Sequence, residues 1–399
     1  MVMAVVEDKL TCANFGLCGG CTYLDMPYPE QLLRKENSLR TLLKHLTVNI
    51  SPIIPSPKIS YYRNKMEFAF GFSSHSQLIL GLRIKKQFSR IVNVENCLLQ
   101  SAESNNYLAR LRFFFNCRDQ AGLVPTTALL PYNLFRHTGQ LRYAVIREGK
   151  NTGERMFVLV TAALTAEEEA EIKKIAGEFP EVTTFVWAVN SRKGDSAVGE
   201  KVSVLTGLGY IQEKLHHLTF RISPYSFFQT NTLGAEKLYQ IIQRQAGTGK
   251  LLFDVYCGGG GIALSLAGQF EKVIGIENSA SSISDAKINA QLNKINNCEF
   301  ICGDAEQGLK SLAANHQPEV LVVDPPRAGL LGKVIKNILI LEPARIIYVS
   351  CNPQALAADL EKLQEKYQVQ AVQPVDLFPH TPHLETVVTL GLSRRLDKN

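Results

Sequence analysis

Leu251-Leu252-Phe253-Asp254-Val255-Tyr256-Cys257-Gly258-Gly259-Gly260-Gly261 is the stretch that decides the fold class of this chain. An apolar run ends in an acid, opens into four glycines and continues as helix-like Ile262 to Gln269. Glycines allow a tight turn and a close backbone approach to a ligand. The next strand-like run, Lys272 to Ile276, is followed at once by Glu277. That is about 20 residues beyond the end of the first strand, where an acid that reaches ribose hydroxyls stands. Neither a P-loop lysine nor the spaced glycines of a dinucleotide fingerprint is present. The pattern predicts a nucleoside cofactor and leaves NAD and S-adenosylmethionine both open.

Outward from the loop, helix-like Thr232 to Gln245 precedes it. Helix-like Ser281 to Leu292, strand-like Glu319 to Val323, strand-like Arg345 to Ser350, helix-like Gln354 to Glu365 and strand-like Val387 to Leu390 follow. Strands alternating with helices predict a Rossmann-like, doubly wound parallel sheet over residues 221–399. Residues 108–220 read as a mixed α+β middle domain. It has β-like runs at Leu141 to Arg147, Phe157 to Leu164 and Thr183 to Val189. Between them lies a charged helix-like stretch whose Thr165 and Glu168 are spaced as a capping box. Residues 1–107 form the third segment. Leu32, Leu33, Leu39, Leu42, Leu43 and Leu46 recur at helical spacing there. Pro52, Pro55 and Pro57 then break the chain, and short β-like runs fill Tyr61 to Val94.

A chain of 399 residues predicts two or three domains. With 45% hydrophobic and 20% charged residues it has the profile of a globular protein, not a disordered one. The formal net charge of +6 is compatible with a polyanionic partner without identifying one. No signal peptide or membrane span is visible, so the cytoplasm is the expected location. Nine cysteines, an odd number in a chain expected to be cytosolic, argue against a disulfide framework. Three of them crowd into Cys12-x5-Cys18-x2-Cys21, with Gly16, Gly19 and Gly20 among them. Such a cluster predicts a metal site, zinc or iron–sulfur.

Two further strand ends carry chemistry. Asp324-Pro325-Pro326-Arg327 closes one, and the prolines hold a rigid, extended turn. Cys351 closes another, just ahead of a helix-like stretch. A thiol at the open end of a nucleotide-binding sheet can act on a ligand, and the helix start is expected to lower its pKa. Near the C-terminus, Glu385 opens an apolar strand and is expected at the same crevice.

The set FFQTN, DVYCGGGG, DPPRAGL, YVSCNP and FPHTPHLE, with CANFGLCGGC and YYRNKMEF at the front, resembles the RNA uracil-5-methyltransferase family. The resemblance runs across most of the chain. It implies S-adenosylmethionine as methyl donor and RNA as partner, with a uridine of 23S ribosomal RNA as the expected target. By it Cys351 is the nucleophile that adds to carbon 6 of uracil, and Glu385 the base that later removes the carbon 5 proton. Gln229, Tyr256, Glu277 and Asp324 would line the cofactor and base pocket, with Glu277 on the ribose. Gly261 stands where a polar residue is frequent in the family. The resemblance also implies a 4Fe–4S cluster on Cys12, Cys18, Cys21 and Cys97. The radical enzymes that use the same cofactor differ in cysteine spacing, so a structural or redox-sensitive cluster is expected here. Some relatives carry an extra N-terminal β-barrel, and cysteines starting at residue 12 leave no room for it. RNA contact would then fall to Arg63 and Lys65, to Arg83, Lys85, Lys86 and Arg90, and to Arg136, His137, Arg142 and Arg147. Rival readings are a tRNA uridine enzyme and, from another class, a non-catalytic RNA-binding protein that kept the fold.

Overall fold

The structure, a computed structural model, describes residues 10–46, 48–116 and 129–393. Contacts gather the chain into two compact units, residues 1–27, 58–214 and 222–225 in the first and residues 28–57, 215–221 and 226–399 in the second. Helix α1 (Tyr28–Leu42), read from sequence with the N-terminal segment, therefore belongs with the C-terminal half. Its Leu39 and the following Leu43 are fully buried in that core.

The first unit is a seven-stranded sheet in the order β3-β2-β1-β4-β5-β6-β7. Its strands are β1 (Lys65–Phe72), β2 (Leu78–Ile84), β3 (Gln87–Asn93), β4 (Leu141–Glu148), β5 (Arg155–Thr161), β6 (Thr184–Val189) and β7 (Lys201–Thr206). Only β5 and β6 run parallel, and the helix between them, α3 (Ala166–Gly177), supplies the crossover. The expected capping box at its start is present. Glu168 N–H donates to Thr165 Oγ1 at 3.3 Å and Thr165 N–H to Glu168 Oε2 at 2.8 Å. Helix α2 (Ala102–Asn116) buries Tyr107, Leu108 and Leu111 in the same core. Strands β8 (Ile211–Leu215) and β9 (Leu218–Ile222) form a two-stranded ribbon.

The second unit holds the predicted doubly wound sheet, in the order β12-β11-β10-β13-β14-β16-β15. The first five are β10 (Gly249–Val255), β11 (Phe270–Glu277), β12 (Cys298–Cys302), β13 (Val320–Val323) and β14 (Arg345–Ser350), all parallel. Strand side chains alternate between two cores, as a sheet covered on both faces requires. Phe253, Val255, Leu321, Val323, Ile346 and Tyr348 meet α1, α7 (Ala305–Ala313), α8 (Gly332–Leu341) and α9 (Pro353–Leu363). Leu252, Val320, Val322, Ile347 and Val349 meet α4 (Thr232–Ala246), α5 (Gly261–Leu266) and α6 (Ala280–Leu292). Asn231, Ser279, Asp304 and Asn352 cap the starts of α4, α6, α7 and α9 with their side chains. The expectation of an all-parallel sheet is corrected at one edge. Strands β15 (Tyr367–Val375) and β16 (Glu385–Leu392) form a hairpin, and β16 enters antiparallel to β14. No described helix is long and apolar enough to cross a membrane.

Candidate active site

Three strand ends and one glycine loop of the second unit carry the site. After β10 the chain turns through Tyr256 at φ 69°, Gly258 at 52° and Gly260 at 84°. Tyrosine in the left-handed region costs about 1–3 kcal/mol, a strain that persists where the surroundings over-determine it and that clusters at functional sites. Glu277, at the tip of β11, fixes the turn from outside. Its Oε2 accepts from Gly258 N–H at 3.2 Å and its Oε1 from Ser279 N–H at 2.9 Å. A cleft opens over the loop, lined among others by Gln229, Tyr239, Tyr256, Gly259 and Asp324. Three of the four residues expected at the cofactor are thus brought together, and the fourth, Glu277, anchors the loop they surround.

Register places the other pair. Ser350 is opposite Thr386 in the β14–β16 ladder. The next step of an antiparallel pair sets Cys351 against Glu385, both at the same end of the sheet as the glycine loop. Asn352 Nδ2 donates to the Arg327 carbonyl at 2.8 Å, tying the thiol's turn to the Asp-Pro-Pro-Arg turn. Arg327 Nη2 lies 3.0 Å from His383 Nδ1. Burial pushes the Cys351 thiol up to about 11, and the carboxyls of Glu385 and Asp324 push the same way. Arg327 opposes them. The expectation of a thiol acidified by its helix start is therefore corrected. Desolvation and two acids outweigh a dipole that acts only over the first turn. Burial, then Asp324, also raises Glu385 well above the ordinary carboxylate range, and burial raises Asp324 to about 7. Asp324 lines the cleft and acts on both Cys351 and Glu385, so it connects the two halves of the site.

The loop that leads into Glu385 is held by α1. Lys35 Nζ, buried, pairs with Asp376 Oδ1 at 2.7 Å and donates to the Phe378 carbonyl at 3.0 Å. Tyr28 Oη donates to Asp376 Oδ2 at 2.9 Å, and His380 N–H to Gln31 Oε1 at 2.8 Å. Sequence reading gave Lys35 no role. It also passed over Asp254, whose Oδ2 accepts from Ala263 N–H at 2.9 Å at the start of α5. Asp254 Oδ1 has no partner among the described residues. Burial first, then Asp324, raises this acid to about 8. Its signal was present, since an acid closes the strand just before the glycines.

In the first unit, Cys12, Cys18, Cys21 and Cys97 line one small apolar pocket. Burial raises the Cys21 thiol to about 12, with Cys97, Cys18 and Cys12 adding to it and Arg63 opposing. Among the described residues no group of three or more such side chains stands close enough to hold a single metal ion. Two residues expected at RNA are corrected by burial. Arg142 is 4% exposed and donates to the carbonyls of Asn190, Arg192 and Gly194. Arg147 is 2% exposed and donates to the Ser223 and Pro224 carbonyls. Arg83 is paired with Asp195 at 2.7 Å. Lys85, Lys86, Arg90, Arg136 and His137 remain exposed. Beside Arg136 runs a groove lined by Phe72, Tyr132 and Phe135, with Phe135 79% exposed.

The model of the tRNA (uracil-5-)-methyltransferase family matches residues 196–393. An RNA methyltransferase of Bacteroides thetaiotaomicron is 39% identical, over 96% of this chain and 87% of its own length. One of Clostridium tetani is 38% identical over 99% of this chain and 87% of its own. Among solved structures, the Pyrococcus abyssi tRNA (uracil-54, C5)-methyltransferase in complex with S-adenosyl-L-homocysteine is similar, with a TM-score of 0.76 and 29% identity. The match covers 94% of this chain and 86% of that one.

Proposed function

The chain belongs to the S-adenosylmethionine-dependent RNA uracil-5-methyltransferases, and from that premise we propose that it methylates carbon 5 of a uridine in 23S ribosomal RNA through a transient bond from Cys351 to carbon 6. The observation that carries this reading is the β14–β16 register, whose next step sets Glu385 against Cys351 at the glycine-loop end of the sheet, with Asp324, which lines the cleft, acting on both. S-adenosylmethionine, held in that cleft, supplies an electrophilic methyl group. Carbon 5 of uracil is too weak a nucleophile to take it unaided. Addition of the Cys351 sulfur at carbon 6 turns the base into an enolate, and carbon 5 can then attack. Glu385 removes the carbon 5 proton, and the Cys351 sulfur leaves as the ring double bond returns. Gln229, Tyr256 and Asp324 hold the cofactor or the base, and Glu277 holds the ribose. The cleft's place over a strained glycine loop is consistent with both groups.

The target base has to leave any stack to meet the thiol, so the substrate region is single-stranded or looped RNA. Exposed Phe135 and Arg136 would contact it by stacking and by charge. The four-cysteine pocket fits a 4Fe–4S cluster in its donor set, its apolar lining and the cation, Arg63, that acts on Cys21. A purified sample prepared without oxygen should be brown, and a colourless, zinc-loaded one would defeat the cluster.

RNA carrying 5-fluorouridine tests the mechanism, because fluorine at carbon 5 cannot leave as a proton. A covalent complex should form on the wild type and map to Cys351, and Cys351→Ala should form none. Trapping at another residue, or none on the wild type, would overturn the assignment. A tRNA target is the second reading, favoured by the Pyrococcus abyssi relative's action on uracil-54. Loss of 5-methyluridine from one RNA or the other in a deletion strain decides between them.

A further inference from the structure

The cleft contains a polar group that the mechanism above leaves unused. Tyr239, on α4, lines it and is 7% exposed. None of the described residues hydrogen-bonds its hydroxyl, which opens onto the cleft and is not one of the fully buried atoms left unpartnered. A buried phenol normally finds a partner. Burial, with Asp324 and Asp254 adding to it, raises its pKa, so it stays protonated and can donate.

Gly261 explains how the hydroxyl reaches this place. Gly258 and Gly260 have positive φ and are glycine for conformation, whereas no such φ occurs at Gly261. A Cβ there would overlap Tyr239 Oη and lie 3.2 Å from its Cζ. Residue 261 is bare because the tyrosine hydroxyl fills the space a side chain would take. The loop thus presents a phenol at its first helical position, facing the cleft.

We propose that Tyr239 is a cofactor-binding residue whose hydroxyl donates to the carboxylate of the methionine portion of S-adenosylmethionine, through the gap left by Gly261. The inference rests on the cleft being the cofactor site. The carboxylate is the anionic end of that ligand, and it enters a cleft already lined by the acids Asp285 and Asp324. An anion there needs a neutral or positive donor, and this hydroxyl is unspent.

Calorimetric titration of the full chain with S-adenosylhomocysteine and with 5′-methylthioadenosine, which lacks the amino-acid tail, tests it. Tyr239→Phe keeps the ring and removes the donor. It should weaken S-adenosylhomocysteine about tenfold and leave methylthioadenosine within about twofold. Equal loss for both ligands, or no loss for either, would overturn the contact. Gly261→Ser should displace the hydroxyl and weaken the first ligand alone. Adding Tyr239→Phe to it frees the space for the serine and should restore part of the binding. A double variant weaker than both single ones overturns the shared-space argument. Failure of the wild type to bind either ligand would instead remove the cofactor reading and the inference with it.

Discussion

The proposed mechanism asks Cys351 to react as an anion from surroundings that oppose its ionisation. Burial and two acids hold the thiol at about 11, against the pull of Arg327 and of a backbone hydrogen bond at Cys351 itself. At neutral pH the thiolate is a small fraction, and that fraction grows about tenfold per pH unit below the pKa. Alkylation of Cys351 by iodoacetamide, followed by peptide mass spectrometry, should therefore accelerate through pH 7 to 9 without levelling. Arg327→Gln should slow it at every pH in that range, because the one opposing cation is lost. A rate that levels below about pH 8 would mean the thiol is acidified after all. The sequence pointed to the residue, since a cysteine at a strand end ahead of a helix is legible locally. Its ionisation was not legible, because the groups that set it, Glu385 and Asp324, come from other strands.

At the scale of elements, the glycine loop, the Thr165 capping box and the alternation of strands and helices could all be read from short-range pattern. The edge hairpin could not. Tyr367 to Val375 shifts register between Val369 and Ala371 and carries Pro374, and nothing local sets the direction of β16. The buried face of α1 was equally hidden, because Lys35 finds its partner, Asp376, far along the chain. A lone lysine at 3% exposure would be expected to be neutral or expelled, and burial does lower its pKa. Removing it by Lys35→Ala leaves the Asp376 carboxylate buried and unpaired. The expected loss is about 3–5 kcal/mol in urea unfolding, and pairing it with Asp376→Asn should recover part of that. Unchanged stability would mean the pair is solvated. In the first unit the same logic separates the buried, structural arginines from the exposed one proposed to meet RNA. Arg142→Ala should destabilise the fold, since three carbonyls lose their donor. Phe135→Ala and Arg136→Ala should leave unfolding unchanged and weaken RNA binding by several fold. Of these two, only Arg136→Ala should also flatten the salt dependence, because stacking does not release counterions. Full RNA affinity in both variants would remove this surface from the RNA path.

For the whole molecule, the decisive property is a group of acids about one site whose pKa values burial raises. Burial raises Asp254 to about 8, Asp324 to about 7 and Glu385 well above its usual range. A carboxyl whose folded pKa exceeds its unfolded value stabilises the protein below the unfolded pKa. That contribution is lost as pH rises through the folded one. Without ligand, the melting temperature should therefore fall across roughly pH 4 to 8, the window between unfolded carboxyls and these folded ones. A cation placed in the cleft reverses the balance, because it is attracted only to the ionised acids. S-adenosylmethionine carries a positive sulfonium, and S-adenosylhomocysteine has the same shape without that charge. The stabilisation given by the first, minus that given by the second, should then grow from pH 6 to pH 9 in thermal-shift titrations. Asp324→Asn, which removes the acid shared by the cleft and the thiol, should flatten the difference. A difference independent of pH in the wild type would show that these acids do not face the methyl-bearing end of the cofactor.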